Sequence, residues 1–159
     1  MPLTINRVKS GALALSATAL ITLAVNEGFS DHAYIPVKGD VPTIGYGETQ
    51  GVKMGDRITA IDALKALNRD VAVYENDIKK CIKVPLSQNE FDAYVDLAYN
   101  IGPGAFCSST LVRRLNQQRY ADACNAILDW DKFHGKVLPG LTKRRQAEYY
   151  TCMGINKNV

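Results

Sequence analysis

Two acids and a hydroxyl in one short stretch offer the clearest chemistry in the chain: Glu27, Asp40 and Thr43, within the run from Glu27 to Gly47. Glycoside cleavage asks for this set. One protonated acid gives its proton to the leaving oxygen, and an ionised partner positions water or attacks the sugar carbon. A donor of that kind is expected in a partly apolar pocket that disfavours its charge. Spacing alone is a moderate signal. Glu27 also reads as a solvated helix-end carboxylate, and Asp40 as a turn residue after Gly39.

The elements that must hold these groups follow from local chemistry. Gly28, Gly39, Gly45 and Gly47 let the backbone bend tightly or approach a ligand. Thr43-Ile44-Gly45-Tyr46-Gly47 is strand chemistry interrupted by glycine, which predicts a twisted hairpin within residues 30–58. Before it, residues 11–25 carry no charge and follow the basic Arg7 and Lys9, like a signal sequence. The run is shorter than the roughly 20 apolar residues of a membrane span, and rich in Ala, Ser and Thr. No clear cleavage site precedes Glu27. The reading is an uncleaved segment that enters a membrane, leaves it, and packs as the first helix.

After the hairpin, Thr59 and Asp62 are spaced as a capping box, and apolar residues at steps of three or four predict a helix to Cys81. Such a helix, roughly 35 Å long at 1.5 Å per residue, is long enough to join two lobes. Ser87 and Glu90 cap a second helix through Ala98. Short helices are expected at 105–115 and 120–133, a loop at 134–140, and a final basic helix at 141–153. The fold class is α+β, mainly α: a small hairpin lobe (27–58) and a helical lobe (59–159) behind the apolar segment 1–26, in one domain.

A chain of 159 residues with a net charge of +3 gives no strong nucleic-acid signal. From Leu111 onward nine Lys/Arg face four Asp/Glu, a local basic excess that reads either as a solvated face or as a surface for an anionic partner. Arg113-Arg114 and Lys143-Arg144-Arg145 sit in no recognition motif, so no nucleic-acid partner is expected. Cys81, Cys107, Cys124 and Cys152 lack CxxC spacing, and only His32 and His134 accompany them. No metal and no cofactor is expected. Two disulfides suit an oxidising compartment, with Cys107–Cys124 and Cys81–Cys152 favoured among three pairings. A papain-like cysteine hydrolase is poorly supported, since neither histidine lies in a motif that links it to a cysteine.

Taken in order, Glu27-Gly28-Phe29, Ala33-Tyr34, Pro42-Thr43-Ile44-Gly45-Tyr46-Gly47, Ala98-Tyr99-Asn100-Ile101-Gly102, Phe106-Cys107-Ser108-Ser109-Thr110-Leu111 and Gly140-Leu141-Thr142-Lys143-Arg144-Arg145 resemble the phage-lysozyme or endolysin muramidase family, glycoside hydrolase family 24. The match covers roughly residues 25–153. It implies a two-lobed lysozyme-like fold with a cleft between the lobes, and cleavage of the β-1,4 bond between N-acetylmuramic acid and N-acetylglucosamine in peptidoglycan. Glu27 matches the general acid and Thr43 the catalytic threonine. The family places Tyr-x-Asp before the threonine, whereas this chain has Tyr34-Ile35-Pro36. Asp40, three before Thr43, is the nearest acid, and Asp31 the runner-up.

By the same resemblance Arg144 or Arg145 orients Glu27, and Tyr99, Asn100 and Ser109 line the cleft. Tyr46 is a candidate to stack on a sugar. The apolar N-terminus looks like the signal-anchor-release type of endolysin: a monomer exported uncleaved, tethered through residues 10–25 to the inner membrane, then freed into the periplasm to cut peptidoglycan and lyse the cell. The competing readings are a lytic transglycosylase, which needs no essential aspartate, and a peptidoglycan-binding homologue that does not cut.

Overall fold

The computed structural model describes residues 4–155 and divides into two compact units. Residues 17–73 form one, and the rest of the described chain forms the other. The elements are mostly helical: α1 (Ala17–Glu27), α2 (Ala60–Cys81), α3 (Gln88–Ile101), α4 (Pro103–Cys107), α5 (Thr110–Asn116), α6 (Tyr120–Ala126) and α7 (Pro139–Met153). The strands are β1 (Ser30–Tyr34), β2 (Thr43–Gly45), β3 (Lys132–Phe133) and β4 (Lys136–Val137).

In the first unit α1 turns into β1 through Gly28, whose φ of 75° suits glycine. β1 pairs antiparallel with β2, Ser30 facing Gly45 and Tyr34 facing Thr43, with a bulge between. The far edge of β1 is held by Ala33 N–H on the Asp56 carbonyl (3.0 Å) and Ile58 N–H on the Asp31 carbonyl (3.0 Å). Leu23, Ala24, Ala33, Ile44, Ala63, Ala66, Leu67 and Val71 fill the core. At Gly45 a β-carbon would stand 2.9 Å from Ala63 Cβ, and φ is +64°, so only glycine lets the ribbon lie this close on α2.

The second unit is built around α3. Phe91, Ala93, Tyr94, Val95, Leu97 and Ala98 are all buried. Ser87 accepts from Glu90 N–H while the Glu90 carboxylate takes the Ser87 N–H, the capping box read from the sequence. At α2, Thr59 Oγ1 accepts the Asp62 N–H at 3.1 Å but donates to the Asp62 carboxylate, so the cap is one-sided at the backbone. Glu90 also binds Arg7 (2.7 Å), whose guanidinium lies 3.6 Å from the Tyr120 ring centre.

Three sequence expectations change here. The apolar run 11–25 is not one helix. Residues 10–12 make a 3-10 turn, and the chain stays extended until α1 starts at Ala17. Polar groups of α2 and α3 hold it: Glu75 accepts Leu15 N–H (2.8 Å), Asp92 accepts Ser16 Oγ–H (2.6 Å), and Lys79 Nζ donates to the Leu13 carbonyl (2.6 Å). These bonds replace the helical ones that residues 11–16 would make. The expected helix 105–115 is two helices, because Ser109 caps α5 by accepting Val112 N–H (3.3 Å). The expected helix 120–133 stops at Ala126. A 3-10 turn follows, then the β3–β4 hairpin, whose two turn residues His134 and Gly135 both have positive φ (49° and 77°).

The disulfide pairing also differs from the favoured one. Cys81 bonds Cys107, joining the end of α2 to α4, and Cys124 bonds Cys152, joining α6 to α7. Packing within the helical unit, rather than closeness of short helices in sequence, brings each pair to Cα distances of 5.6 and 5.7 Å. Loops of 26 and 28 residues each contribute about 3.5 kcal/mol by chain entropy. Reduction by dithiothreitol should therefore lower the melting temperature by more than 10 °C, followed by far-UV circular dichroism.

Candidate active site

Glu27 is the last residue of α1, and the chain passes at once into the ribbon that carries the other two candidates. Glu27 is exposed rather than enclosed in apolar surroundings, because it lies past the last buried turn of α1, formed by Leu23 and Ala24. Thr43 begins β2 and is buried to 7% exposure. Its hydroxyl donates to the Val41 carbonyl at 3.2 Å, which leaves the oxygen lone pairs as acceptors.

Asp40 is exposed in the connection before β2. Its N–H donates to the Val37 carbonyl (2.9 Å), and Oδ1 accepts the Val41 N–H (3.2 Å). Its carboxylate is thus fixed by backbone next to the Thr43 strand. The runner-up is differently employed. Asp31 lies on β1, hydrogen-bonded to His32 Nδ1 at 2.8 Å and paired with Arg57 at 3.2 Å. The His32 bond and then the Arg57 charge hold its carboxyl below the usual range. Tyr46, half-buried, follows β2 and meets Phe29 with ring centres 5.3 Å apart.

The helical-unit candidates fall into three settings. Tyr99 is half-buried with its ring 4.8 Å from that of Tyr74. Ser109 spends its hydroxyl on the Phe106 carbonyl (2.6 Å) and on capping α5. Asn100 Oδ1 accepts from Arg145 Nη2 at 2.7 Å. Arg145 is fully buried and also pairs with Glu148 (3.1 Å), while Arg144 pairs with Asp96 (2.7 Å) and Glu148 (3.4 Å). Burial first, and the Asp96 charge second, push the Glu148 carboxyl up to about 8. Asp96 and Glu148 were not picked out from the sequence, although Glu148 stands four and three residues after the two arginines, within reach on a helix.

A second acidic pair went unread as well. Glu48 and Asp70 both line a cavity of about 470 Å3 in the first unit, with Arg57, Lys65 and Arg69 also on its wall. Burial, then the Glu48 charge, raises the Asp70 carboxyl. Nothing in the local sequence links position 48 to position 70, since the contact is made by folding β2 onto α2. Among the described residues no group of three or more His, Cys, Asp or Glu is arranged to hold a metal.

Comparison with known proteins matches this frame. The phage lysozyme family model matches residues 24–148. An endolysin of Acyrthosiphon pisum secondary endosymbiont phage 1 is 40% identical over 138 residues, covering 84% of this chain and 94% of that one. A SAR-endolysin of Pseudomonas phage phiKMV is 37% identical over 150 residues, covering 92% and 91%. A crystal structure of a P22 lysozyme mutant superposes with a TM-score of 0.82 at 33% identity, covering 89% of this chain and 99% of that chain. With a lysozyme-like fold and a family match across most of its length, the chain belongs to the phage lysozyme family, whose members are lysozyme-type glycosidases.

Proposed function

We propose that this chain is an endolysin muramidase that hydrolyses the β-1,4 bond between N-acetylmuramic acid and N-acetylglucosamine and so lyses bacteria. One observation carries the reading: α1 delivers Glu27 directly into a ribbon that presents a backbone-fixed Asp40 and a buried Thr43 hydroxyl. A glycan laid on Glu27 excludes water, and the negative pole of α1 adds to this, so the protonated acid is favoured. Glu27 gives that proton to the glycosidic oxygen. Water adds to the anomeric carbon and loses its proton to ionised Asp40. Because the Thr43 proton is directed at the Val41 carbonyl, its oxygen accepts a second hydrogen bond from the same water and orients it.

The test is product analysis on purified peptidoglycan with Asp40→Asn and Asp31→Asn. Asp40→Asn should cut turnover by roughly a hundredfold or more, and Asp31→Asn, which removes only an exposed pair, by less than about threefold. Mass spectrometry should find hydrated reducing ends. Anhydro-sugar ends would make the protein a lytic transglycosylase, and binding without any new ends a non-catalytic homologue.

The route to the substrate is a further part of the proposal. Several relatives are named SAR-endolysins. We read residues 10–25 as a transient inner-membrane tether that carries a monomer to the periplasm. No helix among the described residues is long and apolar enough to cross a membrane, and α1, eleven residues, spans only about 16 Å. The tethered form would therefore need residues 10–16 to leave their bonds with Glu75, Lys79 and Asp92 and extend α1 backward.

A further inference from the structure

We propose that Phe29, with Tyr46 behind it, is a stacking platform for an N-acetylated sugar ring of the glycan, setting affinity at the site of Glu27. This rests on the reading of Glu27 as the glycosidic acid. Phe29 is two residues past Glu27 and 46% exposed, although it is a large apolar ring. Ser30 faces Gly45 across the ribbon, so Phe29 and Tyr46 are the next residues on their two strands, and their rings meet at 5.3 Å with planes 46° apart. Both sides of the pair are fixed. Gly28 turns the chain immediately before Phe29, and Gly45 seats the ribbon on Ala63 immediately before Tyr46.

A ring held against a second, tilted ring keeps its orientation with little entropy left to lose on binding. A pyranose presents a face of C–H groups, and the electron-rich face of an aromatic ring attracts them. The rival account is that Phe29 only staples the ribbon by a cross-strand contact with Tyr46. In that case its loss would lower the melting temperature and kcat without selectively weakening glycan binding.

The experiment uses the full chain and peptide-free glycan strands. Affinity is measured by calorimetry in a Glu27→Gln background, so the strands stay intact and binding is read apart from cleavage. Phe29→Ala should weaken Kd roughly 3- to 10-fold, and in the active enzyme raise KM by a similar factor with a smaller change in kcat. Phe29→Leu keeps apolar volume without an aromatic face and should weaken binding as much, whereas Phe29→Trp should restore it. Leucine binding as tightly as phenylalanine would overturn the proposal, as would an unchanged Kd in Phe29→Ala. Strands that bind in a Phe29-dependent way but are never cut by the wild-type chain would uphold the platform and remove the muramidase reading instead.

Discussion

Replacing Glu27 by glutamine should leave the chain folded and cut glycan hydrolysis by roughly a thousandfold, since the proposed proton donor to the leaving oxygen is then gone. The size of the effect comes from chemistry and not from stability. Glutamine keeps the shape of an exposed side chain at the end of α1, so the melting temperature should stay close to that of the parent. The measurement is turbidity clearing of purified cell wall together with release of reducing ends. Retention of more than a tenth of the parent rate would remove Glu27 from the role of acid, and with it the geometry proposed around Asp40 and Thr43.

The second large effect is structural. Arg145 is the largest fully buried side chain, and its charge is met by Glu148 and Asn100. Arg145→Met should destabilise the fold by about 3–5 kcal/mol, because Glu148 is left buried with its partner missing. Adding Glu148→Leu to that variant should recover much of the loss, because a well-filled apolar contact can replace a buried pair. Denaturant melts of the single and double variants measure this. No recovery would mean that the cluster does more than neutralise itself.

The same cluster predicts a pH trend. Burial raises the folded-state pKa of Glu148 to about 8, above the value of a free glutamate near 4.5. The folded chain therefore holds this proton more tightly than the unfolded chain does. Its contribution to stability is full below about pH 4.5 and is lost as pH rises through about 8. Thermal melts from pH 5 to 8.5 should show this decline in the parent and a shallower one in Glu148→Gln, where no proton can be lost.

What could be read in the chain beforehand was whatever is decided locally. Ser87 and Glu90 declare a helix start because cap and partner are three residues apart, and α3 begins there. The apolar steps from Ile61 to Ile78 declare α2 for the same reason. Ser109 was legible as a polar residue but not as the cap that divides α4 from α5. His134-Gly135 was legible as a loop, yet the hairpin it closes is two residues per strand, too short for alternation to show. Cysteine pairing and the contacts among Asp96, Asn100, Arg144, Arg145 and Glu148 depend on how helices distant in sequence meet. The inward face of α7 carries Arg145, Glu148 and Cys152 in place of an apolar stripe, so periodicity could not mark it.

The extended strap of residues 13–16 is bonded to Glu75 and Lys79 of α2 and to Asp92 of α3, and so belongs to the helical unit, not to the unit that α1 opens. During synthesis the ribbon-bearing unit is complete once Val73 has emerged, whereas the helical unit must wait for α7. A ribosome-bound chain therefore has the acid and its ribbon in hand while the other half is still unbuilt. Nascent chains arrested far enough beyond residue 73 for Val73 to have left the ribosome, but short of α7, should protect the ribbon from protease and not the strap.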